Sequence, residues 1–126
     1  MFPDTTRILI IDDMATMRQL VKGQLRGIGF KTFFEADNGE NGFNVLTVRH
    51  DANEPIQLVL SDWNMPVLSG LDLLKKCRAL PQFKALPFML ITAEGEQKQV
   101  IEAIKSGVSN YLVKPFTPAM IQEKIA

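Results

Sequence analysis

Apolar residues along this chain follow two rhythms. Short, nearly continuous runs at Arg7 to Ile11, Gln57 to Ser61 and Phe88 to Thr92 have the character of strands covered on both faces. Two further β-rich runs lie at Lys31 to Ala36 and Tyr111 to Val113. Between them the period lengthens to that of helices. Met17, Leu20, Val21 and Leu25 share one helical face, and Gly27 and Gly29 supply a stop. A second helix is predicted over Gly39 to Arg49. A third begins near Ser69, whose hydroxyl stands three residues before Asp72 in capping-box spacing, and carries Leu71, Leu74 and Cys77 on one side. The fourth runs from about Glu96 to Gly107. The fifth opens at Thr117-Pro118, a hydroxyl cap followed by proline at the first helical position, and runs to Ala126. It is short for a packed final helix, which suits either a domain with a clipped end or a polypeptide that continues.

Strands alternating with helices, without repeats, low-complexity tracts or a flexible linker, imply βαβ units. Five of them with right-handed crossovers make an α/β fold: a three-layer, doubly wound, flavodoxin-like sandwich around a five-stranded parallel sheet. Its ligand site belongs beyond the carboxyl ends of the strands, where the winding reverses. The 126 residues suffice for a single domain spanning 1–126.

Composition narrows the function by exclusion. Fourteen basic and fourteen acidic residues cancel, so the long-range attraction of a nucleic-acid binder is absent. One cysteine, Cys77, makes no internal disulfide, and Met1-Phe2-Pro3-Asp4 does not resemble a signal segment. No apolar run approaches the roughly 20 residues that cross a bilayer. The expectation is a cytoplasmic protein that binds neither membrane nor nucleic acid.

The informative polar residues sit where the apolar runs stop. Asp12-Asp13 follow the first run and Asp62 follows the third. If those runs are neighbouring parallel strands, three carboxylates meet at one edge. Two such charges about 4 Å apart repel by roughly 4 kcal/mol at an effective dielectric of about 20, so a divalent cation is the natural remedy. Hard oxygen ligands in small number suit Mg²⁺, with Mn²⁺ as a substitute, and favour phosphoryl chemistry. Thr92 and Lys114 also fall at strand ends, and five polar residues so placed make a site.

Asp12-Asp13, Ser61-Asp62-Trp63-Asn64-Met65-Pro66, Thr92-Ala93-Glu94 and Tyr111-Leu112-Val113-Lys114-Pro115-Phe116 resemble the receiver domain of two-component response regulators, most nearly its chemotaxis regulators of the CheY type. The resemblance spans nearly the whole chain and implies strand order 2-1-3-4-5. It implies that Asp62 is the phosphoacceptor, that Asp12, Asp13, Asp62 and the backbone carbonyl of Asn64 hold Mg²⁺, and that Thr92 and Lys114 bind the phosphoryl group. It places Asn64 and Glu94 at the mouth, where water or a phosphatase approaches, and makes Lys114-Pro115 a cis peptide. The donor it implies is a phosphohistidine on a sensor histidine kinase. Thr92 then swings toward the new phosphoryl group and Tyr111 turns inward behind it, altering a face that a flagellar motor switch protein reads. Val100 and Ile104 form a row beside that of Ile101 and Val108, so Val100, Ile104, Tyr111 and Val113 are the candidate partner face. The expected product is a monomeric signalling switch that catalyses only its own phosphorylation and dephosphorylation.

Plainer readings stand beside these. Met14 and Met17 read as core fillers, Cys77 as a small buried apolar residue, and His50 as a solvated helix end. Trp63 either covers its loop or reports on metal beside it. The competing functions are a receiver module of a larger transcriptional regulator or hybrid kinase, a Mg²⁺-dependent phosphatase, and a flavodoxin-like cofactor binder. Against the phosphatase, the first two aspartates are contiguous rather than separated as D-x-D. There is no Gly-x-x-x-x-Gly-Lys-Ser/Thr phosphate loop either, and against the flavodoxin-like binder Asp12 to Met17 lacks a hydroxyl- and glycine-rich turn.

Overall fold

In this computed structural model the described residues are 2–93, 97–114 and 116–125, without the side chains of Ala93, Gln97, Lys98 and Gln99. Strands and helices alternate in the order β1 (Arg7–Ile11), α1 (Ala15–Gly27), β2 (Thr32–Ala36), α2 (Gly39–Asp51), β3 (Leu58–Asp62), α3 (Gly70–Arg78), β4 (Phe88–Ala93), α4 (Gln97–Lys105), β5 (Asn110–Lys114) and α5 (Pro118–Ile125). All four strand pairings are parallel, and the sheet order is β2-β1-β3-β4-β5. The three continuous apolar runs have become the three interior strands.

Alternation along those strands splits the core in two. Ile8, Ile10, Leu58, Leu60, Met89 and Ile91 face one layer, where Val21 and Leu25 of α1 and Ile121 and Ile125 of α5 cover them. Leu9, Ile11, Val59, Phe88 and Leu90 face the other, beneath Leu46 of α2, Leu73, Leu74 and Cys77 of α3, and Ala103 of α4. Each fully buried Leu or Ile contributes roughly 1.5 to 3 kcal/mol relative to exposure, and both layers are dense with them.

Turn chemistry sets the ends. Gly29 and Gly107 take φ of +111° and +91° after α1 and α4, conformations open to glycine without strain. Ser69 caps α3, its Oγ accepting from Asp72 N at 3.1 Å, and Thr117 Oγ1 accepts from Met120 N at 3.3 Å to open α5. Asn38 caps α2 through Asn41 N at 2.8 Å, a device the hydrophobic pattern did not reveal.

Several expectations need correcting. Met14, expected in the core, is the cap residue of α1 and 57 % exposed. Leu20 is half exposed, because α1 meets the sheet along the narrow i, i+4 row of Met17, Val21 and Leu25 and Leu20 lies beside it. Ile101, expected to face inward with Val108, is 55 % exposed. The inward position of α4 belongs to Ala103, with Val108 packing beyond it, so Ile101 and Ile104 both meet solvent. The second strand starts at Thr32 rather than Lys31, and α2 runs on to Asp51. β3, β4 and β5 each end one residue later than expected, so Asp62 and Lys114 are the last residues of their strands. The predicted start of the fourth helix at Glu96 and end of the fifth at Ala126 lie outside the described residues.

Candidate functional site

Register brings the polar residues level. Ile11 pairs with Ser61, so Asp12 and Asp62 leave adjacent strands side by side. Asp62 pairs with Ile91, and Thr92 with Val113 and Ala93 with Lys114, which carries the same edge across β4 and β5. Asp12, Asp13 and Asp62 converge there, each offering a carboxylate oxygen within 4.8 Å of the others.

The three carboxylates differ in their surroundings. Asp12 is 3 % exposed, whereas Asp13 stands in solvent. The Asp12 main chain is held at both ends, its N–H donating to Ala36 O at 3.1 Å and its carbonyl accepting from Arg18 Nη1 at 2.7 Å. Its Oδ1 accepts from Met14 N at 2.9 Å. Burial raises the Asp12 carboxyl above the ordinary range and the charge on Asp62 adds to this, while the Met14 N–H and the Lys114 ammonium pull the other way. Such a group is short of positive charge.

Asp62 has a cation at hand. Lys114 Nζ donates to its Oδ1 at 3.2 Å, and Trp63 N donates to the same oxygen at 2.9 Å. Trp63 itself is buried at 6 %, so it packs in the core rather than covering the loop. Behind it Gly70 N donates to Trp63 O at 2.9 Å. A Cβ at Gly70 would fall on the main-chain oxygen of Asp62, so only glycine lets α3 begin this close to the strand end.

The loop from Asn64 to Ser69 is also fastened. Leu68 N donates to Pro66 O at 2.8 Å across Val67, whose φ of +71° makes this a γ-turn of the strained, left-handed kind. Leu68 O then accepts from Gly39 N at 3.0 Å, tying the loop to the start of α2. Asn64 is exposed at the rim and Thr92 is buried beneath the site. Of the candidate partner face, Ile104 is exposed, while Val100, Tyr111 and Val113 are half-buried and the Lys124 ammonium lies 5.1 Å from the Tyr111 ring centre. Glu94 and Pro115 lie outside the described residues, so the expected mouth position of the one and cis bond of the other do too.

Three features went unseen in the sequence. Arg18 looks like a surface charge on α1, Val67 like an ordinary apolar loop residue, and Gly70 like one of eight glycines. Their significance comes from contacts across elements, for which spacing carries no signal. His50 is exposed in the last turn of α2, as expected, though its ring meets Phe83 edge-on at 5.6 Å.

Among the described residues, three carboxylates against the Lys114 ammonium and the Arg18 guanidinium leave a local excess of negative charge, and every donor is a hard oxygen. The set fits Mg²⁺ or Mn²⁺ and does not resemble the sulfur or imidazole clusters that hold softer metals.

Residues 8–126 match the family model described as the response regulator receiver domain. The chain is 44 % identical over 119 residues to chemotaxis protein CheY1 of Helicobacter pylori, covering 94 % of this chain and 93 % of that protein. It is 45 % identical to chemotaxis protein CheY-3 of Vibrio cholerae, covering 94 % and 88 % respectively. Among solved structures, the chemotaxis response regulator CheY4 of Vibrio cholerae superposes with a TM-score of 0.79 at 27 % identity, covering 96 % of each chain.

Proposed function

The chain belongs to the response regulator receiver family, and from that premise we propose that it is a phospho-accepting switch that takes a phosphoryl group from a histidine kinase onto Asp62. The observation that carries this reading is the meeting of Asp12, Asp13 and Asp62 with Lys114 at one strand edge. Likeness to chemotaxis proteins along most of the chain supports placing the switch in a chemotaxis pathway, as a single domain working alone in the cytoplasm. No helix among the described residues is long and apolar enough to cross a membrane, which accords with that setting.

Asp62 suits the nucleophile's role because it is mostly buried and its Oδ1 is held in place by the Lys114 ammonium and the Trp63 N–H. These donors engage Oδ1, and the other oxygen attacks phosphorus in line with the departing imidazole of the donor. Lys114 then shifts its charge from the carboxylate to the transferred group, whose formation adds about 1.5 to 2 negative charges. Held by Asp12, Asp13, Asp62 and the Asn64 carbonyl, Mg²⁺ would supply charge neutralisation in the acidic cluster and stabilise charge on the phosphoryl oxygens. Positioning and electrostatics are the whole of the catalysis, which acts only on the protein's own phosphorylation and dephosphorylation. Asn64 and Glu94 govern approach of water or of a phosphatase.

Thr92, buried under the site, donates its hydroxyl to the new acceptor oxygens, and Tyr111 follows by turning inward. The readout face comprises Ile104 with Val100, Tyr111 and Val113, and the exposure of Ile101 enlarges it. A flagellar motor switch protein that binds this face must favour the phosphorylated state, since a ligand shifts an equilibrium only by its differential affinity.

The test is to incubate the protein with acetyl phosphate or phosphoramidate and Mg²⁺ and to locate the added mass. It should fall on Asp62 and vanish in Asp62→Asn. Label retained in that variant removes Asp62 from the role. Sizing with beryllofluoride separates the two receiver types: a persistent monomer fits the stand-alone switch, a dimer the module of a transcriptional regulator.

A further inference from the structure

We propose that Arg18 is a positioning residue for the acidic cluster, and that Glu35 on the neighbouring strand holds it in place. This rests on the Mg²⁺-dependent reading above and assigns a role to two residues outside the cluster.

Arg18 lies one turn into α1 with its side chain only 18 % exposed, and its guanidinium reaches two groups from different elements at once. Nη1 donates to the Asp12 carbonyl at 2.7 Å, and Nε donates to Glu35 Oε1 at 3.1 Å. Glu35 is fastened in turn by Lys22, whose Nζ donates to Oε2 at 2.7 Å. The Lys22–Glu35–Arg18 chain therefore runs from α1 to β2 and back to the peptide that joins Asp12 to Asp13. Arg18 and Glu35 together wall a cleft of about 250 Å³, completed by Ala36, Asp37 and Asn41. A planar guanidinium is suited to bridging two acceptors in fixed directions, which an ammonium does less well.

The peptide it grips is the one that matters. Rotating the Asp12–Asp13 peptide plane would re-aim both carboxylates, and their mutual repulsion with Asp62 favours such a rotation outward. The Asp12 N–H to Ala36 O bond fixes one side of the residue, and Arg18 fixes the other. Holding the carboxylates converged before a cation arrives lowers the reorganisation that binding requires. Partners that orient metal ligands in this way are worth about 10- to 100-fold in affinity elsewhere.

Electrostatics alone predicts the opposite sign. Arg18 is a cation near the cluster, so deleting it would tighten Mg²⁺ if charge were all that counted. Mg²⁺ affinity, measured by calorimetric titration, therefore decides. Arg18→Met should weaken binding roughly tenfold. The double variant Arg18→Met/Glu35→Gln removes one charge of each sign and should lose about as much, since both residues act through one chain of contacts. Arg18→Lys keeps the charge, should lose affinity to a smaller degree, and carries the test if either other variant does not fold. The amide resonance of Asp13, which shares its peptide with the Asp12 carbonyl, should shift in the metal-free variants while far amides stay in place. Binding unchanged within about twofold, or tightened, in Arg18→Met would overturn the inference. A native protein that does not bind Mg²⁺ at all would overturn the underlying reading, and this inference with it.

Discussion

Among the described glycines, Gly70 leaves the least room for a side chain. An added methyl would fall on the main-chain oxygen of Asp62 and would also press Leu90 Cδ2 at 2.9 Å. Backbone on one side and packed core on the other leave no easy way to yield. Gly70→Ala should lower the unfolding free energy by about 3 kcal/mol in urea titration, at the upper end for overpacking. Asp13 is the opposite case, because the role proposed for its charge is in cation binding rather than in folding. It stands in solvent within a cluster of like charge. Asp13→Asn should raise the thermal midpoint of the metal-free protein slightly and cut its affinity for Mg²⁺. A variant that melts lower without metal, yet binds it as before, would show that the cluster is not under repulsion.

At the scale of elements, the β3 to α3 loop stores strain. Val67 is β-branched, 73 % exposed and held at φ +71°, and the Leu68–Pro66 and Leu68–Gly39 hydrogen bonds keep it there. Left-handed backbone costs an L-residue roughly 1 to 2 kcal/mol and glycine almost nothing, though glycine has more unfolded-state freedom to lose. Val67→Gly should therefore stabilise the fold by about 1 kcal/mol by chemical denaturation, the difference of those opposing effects. The α1 to β2 contact has a pH signature. The Lys22 ammonium, and then Arg18, hold the Glu35 carboxyl below the usual carboxylate range. A depressed acid contributes stability that is complete above its unfolded pKa and is lost as pH falls through the folded one. The urea midpoints of the native protein and Glu35→Gln should thus differ at neutral pH and converge below about pH 4.3, the ordinary glutamate value. With Glu35 partly exposed, the gap should be near 1 kcal/mol or less.

At the scale of the whole molecule, the proposed metal site predicts a link between cation binding and fold stability. A cation that binds only the folded cluster should raise stability by about 2.7 kcal/mol at a hundredfold excess over Kd, read as a Mg²⁺-dependent midpoint that Asp13→Asn blunts. How far this was legible from sequence depends on the range of the interaction. The five strands, five helices and their order were visible because apolar period is a local property, and Asp12, Asp13, Asp62, Thr92 and Lys114 were visible because each closes an apolar run. Receiver motifs along most of the chain supplied the strand order, which period alone leaves open. Met14, Leu20 and Ile101 misled because an apolar residue beside a helical stripe looks the same in sequence whether the neighbouring layer reaches it or stops short. The sequence by itself determined the alternating elements and the chemical identity of the site, since periodicity and charge are written residue by residue. Only the tertiary structure decided which apolar residues are covered, that Gly70 must have no side chain, that Val67 is strained, and that Arg18 grips the Asp12 carbonyl. Those facts depend on distances between segments far apart in the chain, and such distances exist only once the sheet has formed.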